Sequence, residues 1–203
     1  MAEMTIGITG GIGSGKSVVA RVLRCNGFPV FDCDTEAKIL MHRDVGLVES
    51  LKKGLGEEIY HPDGTLNRDL LSGKLFSDKE VRSFVNKIVH HAVREEIKSR
   101  RRKVKGRFFI ESAILATGGI AGMCDSIWVI TAPRDEKLLR IGKRDGLRVN
   151  EIESRMKAQE KELEMLPETG VVVIENDNRH AILPEILKLT DKYINNQTYT
   201  LTC

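Results

Sequence analysis

The chain has 203 residues, of which 41% are hydrophobic, and 32 basic and 29 acidic side chains leave a formal net charge of +3. The length favours one globular domain, and the balance of charge argues against a protein that binds nucleic acid through bulk positive charge. The four cysteines lack zinc-ligand spacing, and neither a leader segment nor a membrane-length apolar run stands out. We therefore expect free thiols and a cytoplasmic location. The expected assembly is a monomer or small homo-oligomer.

Short apolar runs alternate with segments of helical periodicity along the chain. The runs predict β-strands at residues 5–9, 28–31, 107–111, 126–131 and 171–174. The periodic segments predict helices at residues 17–25, 35–42, 45–54, 133–144, 150–163 and 181–194, and a long helix that Asp78 caps and that reaches about residue 103. A turn is predicted at 61–67, and the tail to Cys203 is predicted to be poorly ordered. The alternation is typical of an α/β protein whose parallel sheet is covered on both faces.

The segment after the first predicted strand reads GGIGSGKS over residues 10–17, which fits the P-loop pattern G-x-x-x-x-G-K-[ST]. Glycines let successive backbone N–H groups turn toward a phosphate, and the following helix adds its positive end. We predict that Lys16 bridges the β- and γ-phosphates of a nucleoside triphosphate and that the Ser17 hydroxyl coordinates Mg²⁺. The residues predicted to hold the nucleotide are Gly11, Ile12, Gly13, Ser14, Gly15, Lys16, Ser17 and Val18.

Carboxylates follow two of the predicted strands, where ligands bind in a parallel sheet. Asp32 and Asp34 follow the second strand, and the residue types allow a proton acceptor, a group that helps to hold Mg²⁺, or a helix N-cap. Glu111 ends the strand RFFIE, which resembles a Walker B element but is also compatible with an ordinary polar residue at a strand end.

Two basic segments have competing interpretations. Residues 140–148 contain Arg140 and Arg144 and run from the end of the helix predicted at 133–144 into the loop before the next helix. They indicate either a mobile lid that compensates transferring charge or a solvated helix end. Residues 98–103 read KSRRRK, which indicates the solvated end of a helix or a site for phosphate or nucleic acid. The sequence IENDN at 174–178 lacks the guanine-reading NKxD pattern of a GTPase, and the chain is short for a motor or transporter ATPase. A P-loop, an aspartate at a strand end and an arginine-rich segment in a small chain favour a kinase of small metabolites.

The order of motifs resembles the dephospho-coenzyme A kinase family over nearly the whole chain. The matching segments are TGGIGSGKS at 9–17, VFDCD at 30–34, DGTLNRDLL at 63–71, RSFVNKIVH at 82–90, Arg140 with RDGL at 144–147, and Arg155 with Gln159. Four of the departures from the family pattern concern polar or conformationally restricted residues. His91 replaces a proline, Glu111 replaces an aspartate, Thr117 replaces a glutamate, and Lys137 replaces a glutamine.

The resemblance implies a P-loop kinase fold with a five-stranded parallel sheet, in one domain over 4–200 with a helical substrate-side insertion at about 60–104 and a lid at about 138–163. It implies phosphorylation of the ribose 3′-hydroxyl of dephospho-CoA by ATP with Mg²⁺, without a nucleic-acid or membrane partner. The roles it implies are catalysis by Asp34, Lys16 and Arg140, nucleotide binding by Arg144, and acceptor binding by Asp34, Arg68, His90 and Glu111.

Two other functions remain open at this point. One is a kinase for a different small acceptor, such as a nucleoside monophosphate or shikimate, and the other is a regulatory module that binds a nucleotide. Residues 176–178, after the last predicted strand, are the candidates for contact with adenine.

Overall fold

The computed structural model of the chain describes residues 3–146 and 148–194, and of these it describes 158 and 192–194 by their backbone alone. Leu147, the tail that was predicted to be poorly ordered, and the thiol of Cys203 lie outside the described residues. The described chain divides into two compact units. The core unit runs up to Phe31 and resumes at Val104, and the helical unit is Asp32–Lys103.

The strands are β1 (Met4–Thr9), β2 (Val30–Asp32), β3 (Arg107–Glu111), β4 (Ser126–Thr131) and β5 (Val171–Glu175). The helices are α1 (Lys16–Cys25), α2 (Cys33–Arg43), α3 (Val45–Leu55), α4 (Arg68–Ser77), α5 (Lys79–Arg101), α6 (Arg134–Asp145), α7 (Val149–Glu164) and α8 (Ile182–Ile194). Short 3₁₀ turns lie at Glu57–Ile59 and Ala121–Met123. Among the described residues, none of the helices is both long and apolar enough to cross a bilayer.

The five strands form one sheet in the order β2-β3-β1-β4-β5. The strand β1 pairs in parallel with β3, where Gly7 faces Ile110, and with β4, where Gly7 faces Ile127. The strand β4 in turn pairs in parallel with β5. The predicted fold class, an α/β protein with a five-stranded parallel sheet, is confirmed.

The apolar side chains of the strands and of two helices form the core of the core unit. Phe109 lies between Phe28 and Trp128, with ring centroids 5.5 and 5.4 Å apart and the rings edge to face. Val19 of α1 and Ile186 of α8 are fully buried in the same cluster. Burial of each such side chain stabilises the fold by about 1.5–3 kcal/mol, which fixes α1 and the loop before it against the sheet.

The helical unit has its own core, built around α5. Val85, Val89, Val93 and Ile97 are buried at intervals of four residues, so they form one stripe along α5. The helices α2, α3 and α4 all pack against α5. Two carboxylates also bind Arg100, with Nη2 3.1 Å from Glu36 and Nε 2.9 Å from Glu96.

Most predicted elements are confirmed to within a few residues, and one helix was missed. The helix α4 was not predicted, although the Asn67 carboxamide caps it by accepting from the Leu70 N–H. The helix α2 begins at Cys33, two residues earlier than predicted, because the Asp32 carboxylate caps its first turn. The helix predicted at 133–144 is confirmed as α6, which ends at Asp145, so the arginine-rich segment 140–148 does not lie wholly between helices.

The described cysteines are free thiols, and the basic run at 98–103 lies at the end of a helix, which is the simpler of its two interpretations. Cys25, Cys33 and Cys124 are free cysteines, and burial beside Asp125 raises the pKa of Cys124 to about 12. The basic run ends α5, where cations interact favourably with the helix dipole, and Lys98 pairs with Glu95 at 2.7 Å.

Candidate functional site

The P-loop joins β1 to α1, and three of its glycines adopt backbone angles that other residues avoid. The φ angles are 146° at Gly10, 76° at Gly13 and 100° at Gly15. A Cβ atom at Gly10 would lie 2.1 Å from the Ile130 carbonyl oxygen, so the loop also approaches β4 too closely for a side chain. Glycine is therefore required here both for the turn and for the contact with the sheet.

Lys16 and Ser17 begin α1 directly after this turn. The Lys16 ammonium group donates to the carbonyl oxygens of Gly10 at 2.6 Å and Gly11 at 3.2 Å, so it lies along the loop itself. Ser17 and Val18 are exposed, and the Val18 N–H donates to the Gly15 carbonyl at 2.9 Å. A lysine ammonium group and a serine hydroxyl thus lie at the positive end of a helix, which suits a phosphate ligand.

Arg140 of α6 connects the P-loop to the segment after β5. Its guanidinium donates to the Gly13 and Ser14 carbonyls at 3.3 and 3.4 Å, to the Asn176 carbonyl at 2.9 Å and to the Asn178 side chain at 2.7 Å. The Asn176 amide also donates to the Ser14 carbonyl at 2.8 Å. These bonds fix the carbonyl side of the loop from α6 and from the loop after β5.

The helix α7 contacts the site through two side chains one turn apart. The Gln159 carboxamide oxygen accepts from the Ile12 N–H of the P-loop at 2.5 Å. The Glu162 carboxylate accepts from the N–H of Thr117 at 3.1 Å, from its hydroxyl at 2.7 Å, and from the Ala116 N–H. Gln159 was part of the sequence motif, whereas Glu162 was missed, although its spacing of three residues from Gln159 puts both on one helix face.

Glu111 ends β3 beside the carboxyl end of β1, where it pairs with Ile8 in the ladder. Its side chain is largely buried, and a carboxylate oxygen lies 3.9 Å from Nη2 of Arg24 in α1. Glu111 therefore lies at the carboxyl ends of the strands, where the Walker B interpretation expects it, and it forms an ion pair with Arg24.

Asp32 and Asp34 divide the roles that the sequence left open. The Asp32 carboxylate accepts from the Thr35 N–H and hydroxyl, both at 3.0 Å, so Asp32 is the N-cap of α2. Asp34 lies in the first turn of α2 and is exposed. Within the described part of the chain its carboxylate has neither a hydrogen-bond nor an ion-pair partner, so it is available to a ligand.

Arg144 is engaged differently from Arg140. It makes two hydrogen bonds to the neighbouring Asp145, at 2.6 and 2.8 Å, and these bonds raise the pKa of Arg144 and lower that of Asp145. The described structure thus brings Arg140, but not Arg144, to the P-loop.

The helical unit contains a cavity of about 230 Å³ between α2 and α4. Met41, Leu66, Leu71 and Leu75 supply an apolar lining, and the other lining residues are Lys38, His42, Arg68 and Ser72. Arg68, which the sequence assigned to the acceptor, therefore lines a cavity with cationic groups and an apolar surface. His90 is half-buried on α5 and is not among the lining residues.

The described residues contain no group of three or more His, Cys, Asp or Glu side chains that could hold a metal ion. Ser17 is the exposed oxygen donor beside the lysine of the P-loop. Mg²⁺ is commonly bound through few protein oxygens together with the phosphates of a substrate, so this donor set fits Mg²⁺ that arrives with a nucleotide.

A family model described as dephospho-CoA kinase matches residues 4–181. The chain is 34% identical over 189 residues to a dephospho-CoA kinase of Porphyromonas gingivalis, and the match covers 93% of each chain. The crystal structure of TT1252 from Thermus thermophilus has a TM-score of 0.77 and 28% identity, over 97% of this chain and all of that one. A dephospho-CoA kinase structure from Campylobacter jejuni has a TM-score of 0.68 at 21% identity, over 93% and 96% of the two chains, and supports the fold alone.

Proposed function

The chain belongs to the dephospho-CoA kinase family, and we propose how its own residues carry out the reaction of that family. ATP phosphorylates the ribose 3′-hydroxyl of dephospho-CoA, which gives CoA and ADP in the last step of CoA biosynthesis. The observation that carries this function for the present chain is the glycine cradle at residues 10–17, with Lys16 at the start of α1.

The P-loop holds the phosphates of ATP. Backbone N–H groups of the loop and the positive end of α1 bind the phosphate oxygens. The Lys16 ammonium group, which donates to two loop carbonyls, exchanges them for β- and γ-phosphate oxygens. Ser17 would hold Mg²⁺ through its hydroxyl, and the metal would supply neutralisation of the phosphate charge.

Transfer breaks the bond between the γ-phosphorus and the oxygen bridging it to the β-phosphate, and forms a bond from that phosphorus to the ribose 3′-oxygen. Asp34 orients the 3′-hydroxyl and accepts its proton, supported by its exposure and by a carboxylate without a partner among the described residues. Arg140, whose guanidinium already contacts the P-loop backbone, compensates the charge of the moving group. Arg144 adds a second cation to the nucleotide when it leaves Asp145.

The acceptor binds through the helical unit. Dephospho-CoA carries a pyrophosphate and a long arm in which amides alternate with methyl and methylene groups, so cations next to an apolar surface suit it. The cavity lined by Arg68 and Lys38 beside Met41 and Leu71 has both features. His90 and Glu111 complete the proposed acceptor contacts, in an insertion at about 60–104 and at the end of β3 respectively.

The proposal extends to the organisation of the chain. We assign the lid to about 138–163, which covers the later part of α6 and nearly all of α7, within one kinase domain over 4–200. An ion pair of Arg134 with Glu153 links these two helices. The cytoplasm is the proposed compartment, supported by free thiols at the three cysteines within the described residues.

The test measures ADP release with dephospho-CoA and with a panel that includes nucleoside monophosphates and shikimate. We expect ADP release that depends on dephospho-CoA, and Asp34→Asn should lower kcat by about 100-fold or more while leaving ATP affinity within about twofold. Asp135→Asn is the matched control, because Asp135 is also an exposed aspartate in the first turn of a helix. Unchanged kcat in Asp34→Asn would refute its role, and a preference for another acceptor would refute the substrate.

A further inference from the structure

Glu162 is a buried carboxylate that the proposed chemistry does not use. It is 5% exposed and lies in α7, two residues before the end of the helix. Its partners are the N–H groups of Ala116 and Thr117 and the Thr117 hydroxyl. Burial of a carboxylate is costly unless its charge is compensated, and the three donors supply that compensation for Glu162.

The donors belong to the loop after β3, which continues from Glu111. Two successive backbone N–H groups and a hydroxyl together form a small anion-binding nest, which Glu162 fills. No lysine or arginine among the described residues forms an ion pair with Glu162. Its hold on the loop therefore depends on these hydrogen bonds, which are strong because the acceptor is charged.

The same face of α7 also reaches the P-loop. Gln159, one turn before Glu162, accepts from the Ile12 N–H, and the buried Ile152 lies two turns before Gln159. Side chains spaced by three, four or seven residues share one face of a helix. A single helix thus binds the loop that holds ATP phosphates and the loop that follows Glu111.

The contact between Glu162 and Thr117 involves one of the positions at which the chain departs from the family pattern. That pattern has a glutamate at the position of Thr117, whereas this chain has threonine there and reaches it with a carboxylate from α7. A carboxylate is therefore still present at this position of the loop, but it is supplied by Glu162 of the proposed lid.

We propose that Glu162 is a positioning residue for phosphoryl transfer, which holds the loop after β3 to α7 so that α7 is correctly set over the P-loop. The proposal rests on the proposed function, because positioning is measured through the kinase reaction. A lid helix displaced by even about 1 Å lowers the rate of transfer far more than it lowers the stability of the fold.

The first experiment compares Glu162→Gln with Glu160→Gln, a charge-matched control at an exposed position of the same helix. Kinetics with ATP and dephospho-CoA are measured at 25 °C, together with thermal unfolding. Glu162→Gln keeps the shape but weakens the charged hydrogen bonds, so we expect kcat to fall about tenfold, with KM for ATP within about twofold. Glu160→Gln should keep the wild-type kcat. If Glu162→Gln does not fold, Thr117→Val removes the hydroxyl donor alone and should lower kcat about threefold.

The second experiment exchanges the carboxylate between the two positions. Thr117→Glu adds a like charge beside Glu162 and should lower kcat more than Thr117→Val does. The double variant Thr117→Glu/Glu162→Gln restores one carboxylate and one donor, so its kcat should return to within about threefold of wild type. A merely stabilising contact would change the melting temperature without this pattern in kcat.

Wild-type kcat in Glu162→Gln, or a double variant whose losses multiply without rescue, would overturn the positioning role while leaving the proposed function intact. Absence of ADP release with dephospho-CoA in the wild-type enzyme would overturn the proposed function and this inference with it. Rescue in the double variant together with unchanged activity in the Glu160→Gln control would support the inference.

Discussion

Gly15 illustrates how the P-loop depends on the absence of a side chain. Its φ angle is 100°, and a Cβ atom there would lie 2.2 Å from Nδ2 of Asn176. That amide donates to the Ser14 carbonyl and so closes the loop from the side of β5. The motif predicts glycine at this position for the sake of the phosphates, and the fold adds a second reason, which is the approach of Asn176.

The first prediction concerns Gly15→Ala. The added methyl group meets Asn176 and forces an alanine into the left-handed region, which costs on the order of 1–3 kcal/mol. We expect kcat/KM for ATP to fall at least about 100-fold, because the loop must move away from its phosphate-binding shape. Steady-state kinetics and calorimetric titration with a non-hydrolysable ATP analogue measure both effects.

Gly73→Ala is the control for this change. Gly73 lies in α4, where an added Cβ atom meets nothing within 4 Å and φ is not positive. Alanine stabilises a helix by about 0.5–1 kcal/mol relative to glycine, so the melting temperature should rise slightly with kinetics unchanged. A Gly15→Ala enzyme with wild-type affinity for the analogue would refute the reading of the loop as a strained cradle.

At the scale of elements, one buried side chain links β3 to the C-terminal helix. Arg107 is the first residue of β3, is 5% exposed, and donates to the Thr190 carbonyl of α8 at 2.6 Å. Its guanidinium also lies over the Phe28 ring, 5.2 Å from the centroid. Burial lowers the pKa of Arg107, and the contacts with Thr190 and Phe28 offset part of that cost.

The second prediction is that Arg107→Ala destabilises the core unit without changing the chemistry. The change removes a charged hydrogen bond and the packing of a buried side chain, so the free energy of unfolding should fall by about 2–4 kcal/mol. Urea unfolding measures the loss, and kcat at 25 °C should stay at the wild-type value. Lys105→Ala, at an exposed position two residues earlier, should change stability by less than about 0.5 kcal/mol. Equal losses in the two variants would contradict the link between β3 and α8.

Strands and long helices were predictable because their signals are local. Continuous apolar runs gave β3 and β4 with the observed bounds, and the Asp78 cap gave the start of α5. The helix α4 was missed because its apolar residues are few and a glycine interrupts them at Gly73, so only the Asn67 cap signalled it. Partners that are distant in sequence, such as Glu162 with Thr117, leave no local pattern.

At the scale of the whole molecule, each unit presents features suited to a different ligand. The core unit carries the P-loop with Lys16 and Arg140, and the helical unit carries the cavity lined by Lys38 and Arg68. The order of motifs predicted both ligands through the family resemblance. It could not predict the cavity, because residues from α2, α4 and the turn before α4 meet there only after the helical unit has folded.

The last prediction is that the two ligands protect different amides from hydrogen exchange. A ligand that binds the native state suppresses local opening where it binds, so a non-hydrolysable ATP analogue should slow exchange at residues 10–17. Dephospho-CoA should slow exchange at residues 38–42 and 66–75, which contain the cavity lining. Exchange is followed by mass spectrometry with each ligand alone.

Arg68→Gln separates the two footprints, because it removes a cavity cation and leaves the P-loop unchanged. The concentration of dephospho-CoA needed for half-maximal protection should rise at least about tenfold, and that of the ATP analogue should not change. Lys79→Gln removes an equal charge from an exposed position of the same unit and should leave both footprints intact. Dephospho-CoA protection that survives in Arg68→Gln would exclude this cavity as the acceptor site, since a phosphate-bearing ligand held there depends on its cations.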